Sequence, residues 1–418
     1  MGDASADLER VVREEWGRLV ALLLAQFRRL DLVEDALGDA VEAASRTWPA
    51  DGVPANPPAW LMTAARRRVL DRLRTEDVAR RKEPLLLLDA EQHQEGARSM
   101  ADAGSLVEDD VLRLVLMCAH PALAPEAASA LSLRLVLGVP TADIARLFLV
   151  PEPTMAARIT RAKKRIVGAG IPFAVPDAGA LPERLEVVAQ TAYLTFTAGY
   201  APGTGPDLLR ADQSGEAIRL VRVVLGLRPD EPALVALLAL MLLHHSRRDA
   251  RVDDGRLVLL ADQDRTRWHH DEIAEATRLL ARPHLSGPLT PLAASYVLQA
   301  RIAAEHATSP IAHETRWDRV VGLYDVLLQV APTPSARLAR AVAVAEQHGP
   351  AAGLDALEGL EVPESHRPAA VRAELLSRAG DVDAAQAAYD QAIAACRNEV
   401  ETAFLVAQRD ALPARWSG

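Results

Sequence analysis

Apolar residues recur at helical spacing along most of the chain, and no run alternates apolar with polar residues as a half-buried strand would. The clearest pattern is TADIARLFLVPEPTMAARITRAKKRI, Thr141 to Ile166. Its opening turns have a single apolar face of Ile144, Ala145 and Phe148, Thr141 is placed to cap them, and Pro151 to Pro153 forces a break. A second helix is predicted from near Pro153, because proline is tolerated in a first turn, and Met155, Ile159, Ala162 and Ile166 then share a face. Upstream, Leu32 to Trp48 carries apolar Leu32, Ala36, Val41 and Ala44 together with an acidic face of Glu34, Asp35, Asp39 and Glu42. A loop rich in proline, glycine and asparagine follows, Asp51 to Pro58, and then a helix over Ala59 to Lys82 with Trp60, Ala64, Val69 and Leu73 on or near one face. Ala233 to Leu243 is apolar all round and too short to span a bilayer, which predicts a buried helix.

The pattern predicts an all-α chain. Two small helical modules, 1–82 and 108–173, are joined by a linker over 83–107, where the apolar period stops after Leu85 to Leu88. A flexible tether of that length lets two modules reach separate elements of one target. From residue 174 a further helical domain runs to 418. Within it, Arg378 to Ile393 has a turn glycine at Gly380 and then Ala385, Tyr389 and Ala392 at the small, aromatic and small positions of a tetratricopeptide repeat. Tyr324, Leu327 and Pro332 fit an earlier copy, and Gly349 precedes Gly380 at nearly the expected period. Such helix pairs bury their faces only by stacking, so a curved array with a concave surface is expected.

Composition sharpens the division. The 418 residues are 50% hydrophobic and carry a net charge of −10, which does not favour a generic DNA binder. Residues 1–173 hold 23 basic against 25 acidic side chains, so the acidic surplus belongs mainly to the remainder, with 24 against 32. The charged N-terminal stretch has no signal-peptide pattern, and the two cysteines, Cys118 and Cys396, are far apart without metal-ligand spacing, so a reducing cytoplasm is expected.

The chemistry sits in the two modules. A helix with Thr154 and Arg158 early and Arg161, Lys163, Lys164 and Arg165 late offers base edges its first residues and phosphates its later cations. Arg66, Arg67, Arg68, Arg72 and Arg74 leave the 59–82 helix positive despite Asp71, Glu76 and Asp77, as suits a polyanion that releases counterions on binding. The acidic face of 32–48 suits a basic protein partner.

These segments resemble the sigma-70 family, and particularly its extracytoplasmic-function branch. Val150-Pro151-Glu152-Pro153-Thr154-Met155, then Ala157-Arg158-Ile159 and Arg161-Ala162-Lys163, is similar to the family's region 4, with Pro153 where glycine is usual. Val33 to Asp39 resembles the region 2.2 helix that docks on the clamp of core RNA polymerase, with Gly38 where glutamine is usual. Trp60-Leu61, Ala65-Arg66, Arg68 and Leu70-Asp71-Arg72 look like regions 2.3 and 2.4, which melt and read the minus-ten element. Asp51 to Pro54 with Asn56-Pro57, His120 to Glu126, and Asp262-Gln263-Asp264-Arg265 look like the subgroup with a long C-terminal tetratricopeptide-like extension. The resemblance implies a non-enzymatic alternative sigma factor whose partners are core polymerase and promoter DNA. Glu34, Asp35, Asp39 and Glu42 would contact the clamp. Asn56, Trp60, Arg66, Arg67, Arg68 and Arg72 would open the minus-ten element, holding unstacked bases against aromatic and cationic groups. The helix-turn-helix residues would read the minus-thirty-five element. The acidic extension is expected to regulate these modules in cis, with a protein or small-molecule ligand of its own. A one-component regulator, a helix-turn-helix with a ligand-sensing C-terminal domain, is the alternative, and it has no need of the acidic helix.

Two polar clusters remain. His244, His245, Arg247 and Arg248, with Asp262 to Arg265 and Trp268 to Asp271, read as a helix-end ion-pair network or ligand-facing patch rather than a metal site, since no His-x-x-x-His pairing occurs. No nucleophile elbow or phosphate-binding glycine loop is present, so neither a catalytic residue nor a cofactor is expected.

Overall fold

Helical periodicity is realised along most of the described residues. The structure, a computed structural model, describes residues 4–80, 104–200, 211–253, 256–360, 362 and 365–413. In the order of the chain the helices are α1 Ala4–Phe27, α2 Leu30–Asp51, α3 Pro57–Arg80, α4 Gly104–Cys118, α5 Pro125–Val136, α6 Thr141–Leu147, α7 Glu152–Gly168, α8 Leu181–Tyr200 and α9 Ala211–Leu227. They continue with α10 Pro232–His245, α11 His270–Leu280, α12 Pro291–Thr308, α13 Trp317–Val330, α14 Pro334–His348, α15 Pro350–Ala356, α16 Arg367–Ala379, α17 Val382–Ala395 and α18 Glu399–Asp410. The described strands are a two-residue hairpin, β1 Val252–Asp253 and β2 Arg256–Leu257. The fold is all-α. Among the described residues no helix is long and apolar enough to cross a membrane.

The chain divides into two compact units, residues 1–194 with 226–228, and residues 195–225 with 229–418. In the first, α1 packs against α2, α3, α4 and α5. Leu19, Val20, Leu23, Val33, Leu37, Leu114, Leu131 and Leu133 are all buried in this unit. The apolar face of α3 is rotated from the expected one: Leu61, Ala65 and Val69 are buried, while Trp60 and Ala64 are half-buried. The i, i+4 row starting at Leu61 is the one that meets Leu32 and Ala36 of α2.

Two boundaries differ from those read in the sequence. Residues 104–107, expected in the linker, belong to α4, while 81–103, including Leu85 to Leu88, lie outside the described residues. The first unit also runs beyond residue 173, because the first half of α8 packs as core: Leu185, Val188, Ala189 and Ala192 are buried, and Arg184 donates to the Leu116 carbonyl at 2.5 Å.

In the second unit α10 is buried over Ala233–Leu243 and packs on α11 and α12, as its all-round apolar character requires. From α13 onward each helix packs mainly on its neighbours in sequence. Leu298, Ile302, Val320, Leu327, Ala336 and Ala343 form one core layer of this row. Ala341, Leu357, Leu360 and Leu375 form the next, and Ala373, Ala388, Tyr389, Ala392 and Leu405 the last. The α16–α17 turn matches its sequence: Gly380 closes α16 in the left-handed region (φ 85°), and the Asp381 carboxylate caps α17 through the Ala384 amide at 3.1 Å. The row is not an open array, since α18 returns to pack on β2.

Candidate nucleic-acid interface

The helix-turn-helix forms where its pattern places it. Met155, Ile159, Ala162 and Ile166 are all buried along α7, and Ile144 and Ala145 along α6. The start of α6 is corrected: Pro140 is its N-cap residue and its carbonyl accepts from the Asp143 and Ile144 amides, so Thr141 lies one position inside and makes no cap. The turn passes through Leu149 in the left-handed region (φ 55°), and the Val150 amide reaches back to the Ala145 carbonyl at 3.1 Å. This leaves Thr154, Arg161, Lys164 and Arg165 exposed and Arg158 half-buried on the open side of α7.

Lys163 behaves differently. It is turned inward and ion-paired with Glu34 of α2, whose other carboxylate oxygen accepts from Arg134 Nε of α5 at 2.5 Å. Glu34 is only 5% exposed. Burial pushes the Lys163 ammonium and the Arg134 guanidinium below their ordinary values, with Asp31 and Asp35 respectively acting in the opposite sense. Arg134 also donates to the Val139 carbonyl at 3.3 Å, and its guanidinium lies 5.6 Å from the Trp16 ring centroid. The Trp16 indole donates to the Arg134 carbonyl at 3.1 Å. A glycine makes this approach feasible: a Cβ on Gly138, itself at φ 71°, would stand 2.7 Å from Trp16 Cγ.

The expected acidic face is therefore not uniform. Glu34 leaves it for the interior. Asp39 and Asp35 are bridged by Arg72 of α3, at 2.8 and 3.5 Å, so Arg72, expected to face DNA, serves two carboxylates expected to face a protein. Glu42 is exposed and pairs with Arg46 one turn on. On α3, Arg67 and Arg68 are exposed and Arg66 is half-buried. Asn56 precedes the helix and caps it, its side-chain oxygen accepting from the Ala59 amide at 3.1 Å. Trp60 stands edge-on to buried Trp48, ring centroids 5.7 Å apart, and remains half-exposed beside that cap. The loop and Trp60 thus form one corner at the start of α3, with Arg67 and Arg68 two turns further along that helix.

The polar clusters of the second unit are structural. Arg248 and His245 both engage Glu272, at 2.9 and 3.1 Å, and Arg248 also meets His269, whose other nitrogen reaches Asp249 at 2.7 Å. In the Asp262 to Arg265 phrase, Asp264 caps the following turn through the Thr266 amide at 2.9 Å, and Gln263 donates to the Val258 carbonyl at 3.2 Å. Arg265 donates to the His306 and Ser309 carbonyls at the end of α12 while stacking 4.3 Å from the Trp268 ring centroid. His366, Cys396 and Glu401 bring three ligand atoms within 4.8 Å of one another. The Glu401 carboxylate is already engaged by His366 at 3.1 Å and Arg367 at 3.7 Å, and they hold it below the usual carboxylate range together with Arg251.

Residues 113–166, which span the end of α4, all of α5 and α6 and most of α7, match the family described as Sigma-70, region 4. Residues 184–284 match a family of unknown function, DUF6596. An uncharacterized protein of Rhizobium meliloti (strain 1021) is 40% identical over 398 residues, covering 94% of this chain and 92% of its own length. No solved structure matches the chain. The chain belongs to one family with the Rhizobium meliloti protein, and its region 4 domain marks it as a sigma factor or DNA-binding transcription regulator.

Proposed function

We propose that the chain is an alternative sigma factor of the extracytoplasmic-function kind with a long C-terminal, tetratricopeptide-like extension. In this reading residues 1–82 bind the clamp of core polymerase through Asp35, Asp39, Glu42 and Glu34. They open the minus-ten element through the Asn56 corner, Trp60, Arg66, Arg67, Arg68 and Arg72. The segment between α3 and α4 joins this module to the helix-turn-helix module, where Thr154, Arg158, Arg161, Lys163, Lys164 and Arg165 read the minus-thirty-five element. The C-terminal extension, with the acidic surplus and the α16–α17 hairpin, regulates in cis.

The observation that carries the reading is the helix pair ahead of the region 4 domain. α2 has carboxylates and α3 has exposed arginines beside a half-exposed tryptophan, a combination for which a one-component regulator has no use. Purified full chain is added to core polymerase and genomic DNA, and transcript starts are mapped with permanganate detection of melted thymines. Discrete starts with melting that depend on both components support the reading. Tight, sequence-specific duplex binding by the chain alone, with no core-dependent starts, assigns it to the one-component class instead.

A further inference from the structure

The contact between α2 and the helix-turn-helix joins residues that the sigma reading sends to different partners. Glu34 belongs to the polymerase-facing set and Lys163 to the DNA-facing set, yet the two form an ion pair, with Arg134 on the second carboxylate oxygen. We propose that the Glu34–Arg134–Lys163 triad is an autoinhibitory latch: it holds the first module closed on the helix-turn-helix and withholds both side chains until α2 and α7 part. The inference rests on the sigma-factor reading for what the latch controls, but the latch itself is a property of the fold.

Three features argue for a latch rather than a permanent core contact. The contact is long-range, since Glu34 lies 100 residues from Arg134 and 129 from Lys163. Its chemistry is also close to balance. A fully paired buried triad gains Coulomb energy but forfeits the hydration of three charges, so the closed form is only modestly favoured while complete. Removing one partner shifts that balance sharply, because the remaining charges stay buried without compensation. Finally, each member has a substitute of matching charge outside. A phosphate suits Lys163 and Arg134, and a basic protein surface suits Glu34, so a partner that binds only the parted form draws the population toward it. The charged groups around the triad are consistent with this: Asp31 and Asp35, on the same helix as Glu34, act on Lys163 and Arg134 and reduce the excess of positive charge there.

The test measures the separation of α2 and α7 directly. Ser45 and Thr160 are exposed on these helices. In the full chain carrying Cys396→Ser, spin labels at Ser45→Cys and Thr160→Cys report the distance by double electron–electron resonance. The remaining thiol, Cys118, is buried, and burial pushes its pKa up and keeps it from reacting. The expected result is one narrow distance population. Glu34→Gln should raise the open-to-closed ratio by about a hundredfold or more, giving a second, longer population with helicity unchanged. The triple replacement Glu34→Met, Arg134→Met, Lys163→Met keeps volume and removes charge, and should stay closed and associate with core polymerase more slowly than the parent. The latch is overturned if Glu34→Gln keeps the parental distance while folded, or if the triple variant opens. If distances respond as expected but neither form engages core polymerase, the latch stands and the sigma reading fails.

Discussion

Gly17 and Gly38 provide a matched pair in which one substitution should have opposite effects. Both lie inside helices, Gly17 in α1 and Gly38 in α2, and each glycine costs a helix about 1 kcal/mol relative to alanine. At Gly38 nothing lies within 4 Å of an added Cβ, so Gly38→Ala should express that propensity gain and stabilise the unit by ~1 kcal/mol. At Gly17 the added Cβ would stand 2.3 Å from the Val136 carbonyl oxygen at the end of α5. That neighbour is backbone and cannot rotate away, so α1 and α5 must separate. Overpacking of this kind costs roughly 1–3 kcal/mol. Movement of α1 also strains the Trp16 to Arg134 hydrogen bond, worth about 1 kcal/mol. After the propensity gain, Gly17→Ala should be destabilising by ~1–3 kcal/mol, or about 3–9 °C in melting temperature for a unit of this size. Native-state hydrogen exchange of α1, α2 and α5 amides in the full chain reads both changes on one scale. If the two alanines stabilise equally, or α5 protection is unchanged in Gly17→Ala, the close approach of α1 to α5 is wrong, and with it the platform on which Arg134 sits.

Three further outcomes follow. Burial pushes His306 down to about 4, with Arg247 and Arg265 acting in the same sense, and His244 is held well below its ordinary value chiefly by burial; the unfolded chain therefore binds more protons than the fold below about pH 6.5, so stability is full above that pH and falls as pH drops toward 4. The His306 contribution is about 2 kcal/mol between pH 7 and pH 5, and urea denaturation of the second unit should show a smaller loss in His306→Asn. Arg265→Ala removes two charge-assisted hydrogen bonds and a cation–π contact, and should cost roughly 2–4 kcal/mol, seen as lost exchange protection at the end of α12. Duplex DNA binding by the free chain should have a shallow salt dependence, and Glu34→Gln should steepen the log–log slope by about 1 for each of the two cations it releases; an unchanged slope would show that Lys163 and Arg134 do not reach phosphate.

What the sequence makes legible here is what a single helix declares about itself. The buried row of α7, Met155 to Ile166, and the all-round burial of α10 follow from spacing alone, and the Gly380 turn follows from the conformation only glycine adopts freely. Errors arise where two residues compete for one role. Thr141 is a better N-cap by chemistry than Pro140, but the chain enters α6 one residue earlier and the Pro140 carbonyl begins the helix. Trp60 and Leu61 are both large and apolar, and only the packing of α3 on α2 decides that Leu61 is enclosed while Trp60 rests edge-on against Trp48. The phrase Asp262 to Arg265 stands out because it is polar and dense, yet its members bind backbone carbonyls and cap a turn, a use that a sequence does not distinguish from ligand binding.

The same limit governs the charged faces, with a consequence for function. A chain that must meet a basic protein surface and a polyanion carries carboxylates on one helix and cations on others, and those two sets are complementary to each other as well as to their targets. Without the targets, the lowest-cost arrangement pairs them internally, since an unpaired charge at a closing interface loses hydration with nothing in return. Arg72 between Asp39 and Asp35 is the exposed version of this, held at the edge where salt screens it and its net worth is small. Glu34 between Arg134 and Lys163 is the buried version, where removal of one member leaves the others uncompensated. Sequence pattern reports that a carboxylate lies on a helix face. Whether that face meets solvent, a partner or a cation 129 residues further along depends on which helices close over it. In the proposed reading, charges that serve two partners are, in the free chain, paired with each other.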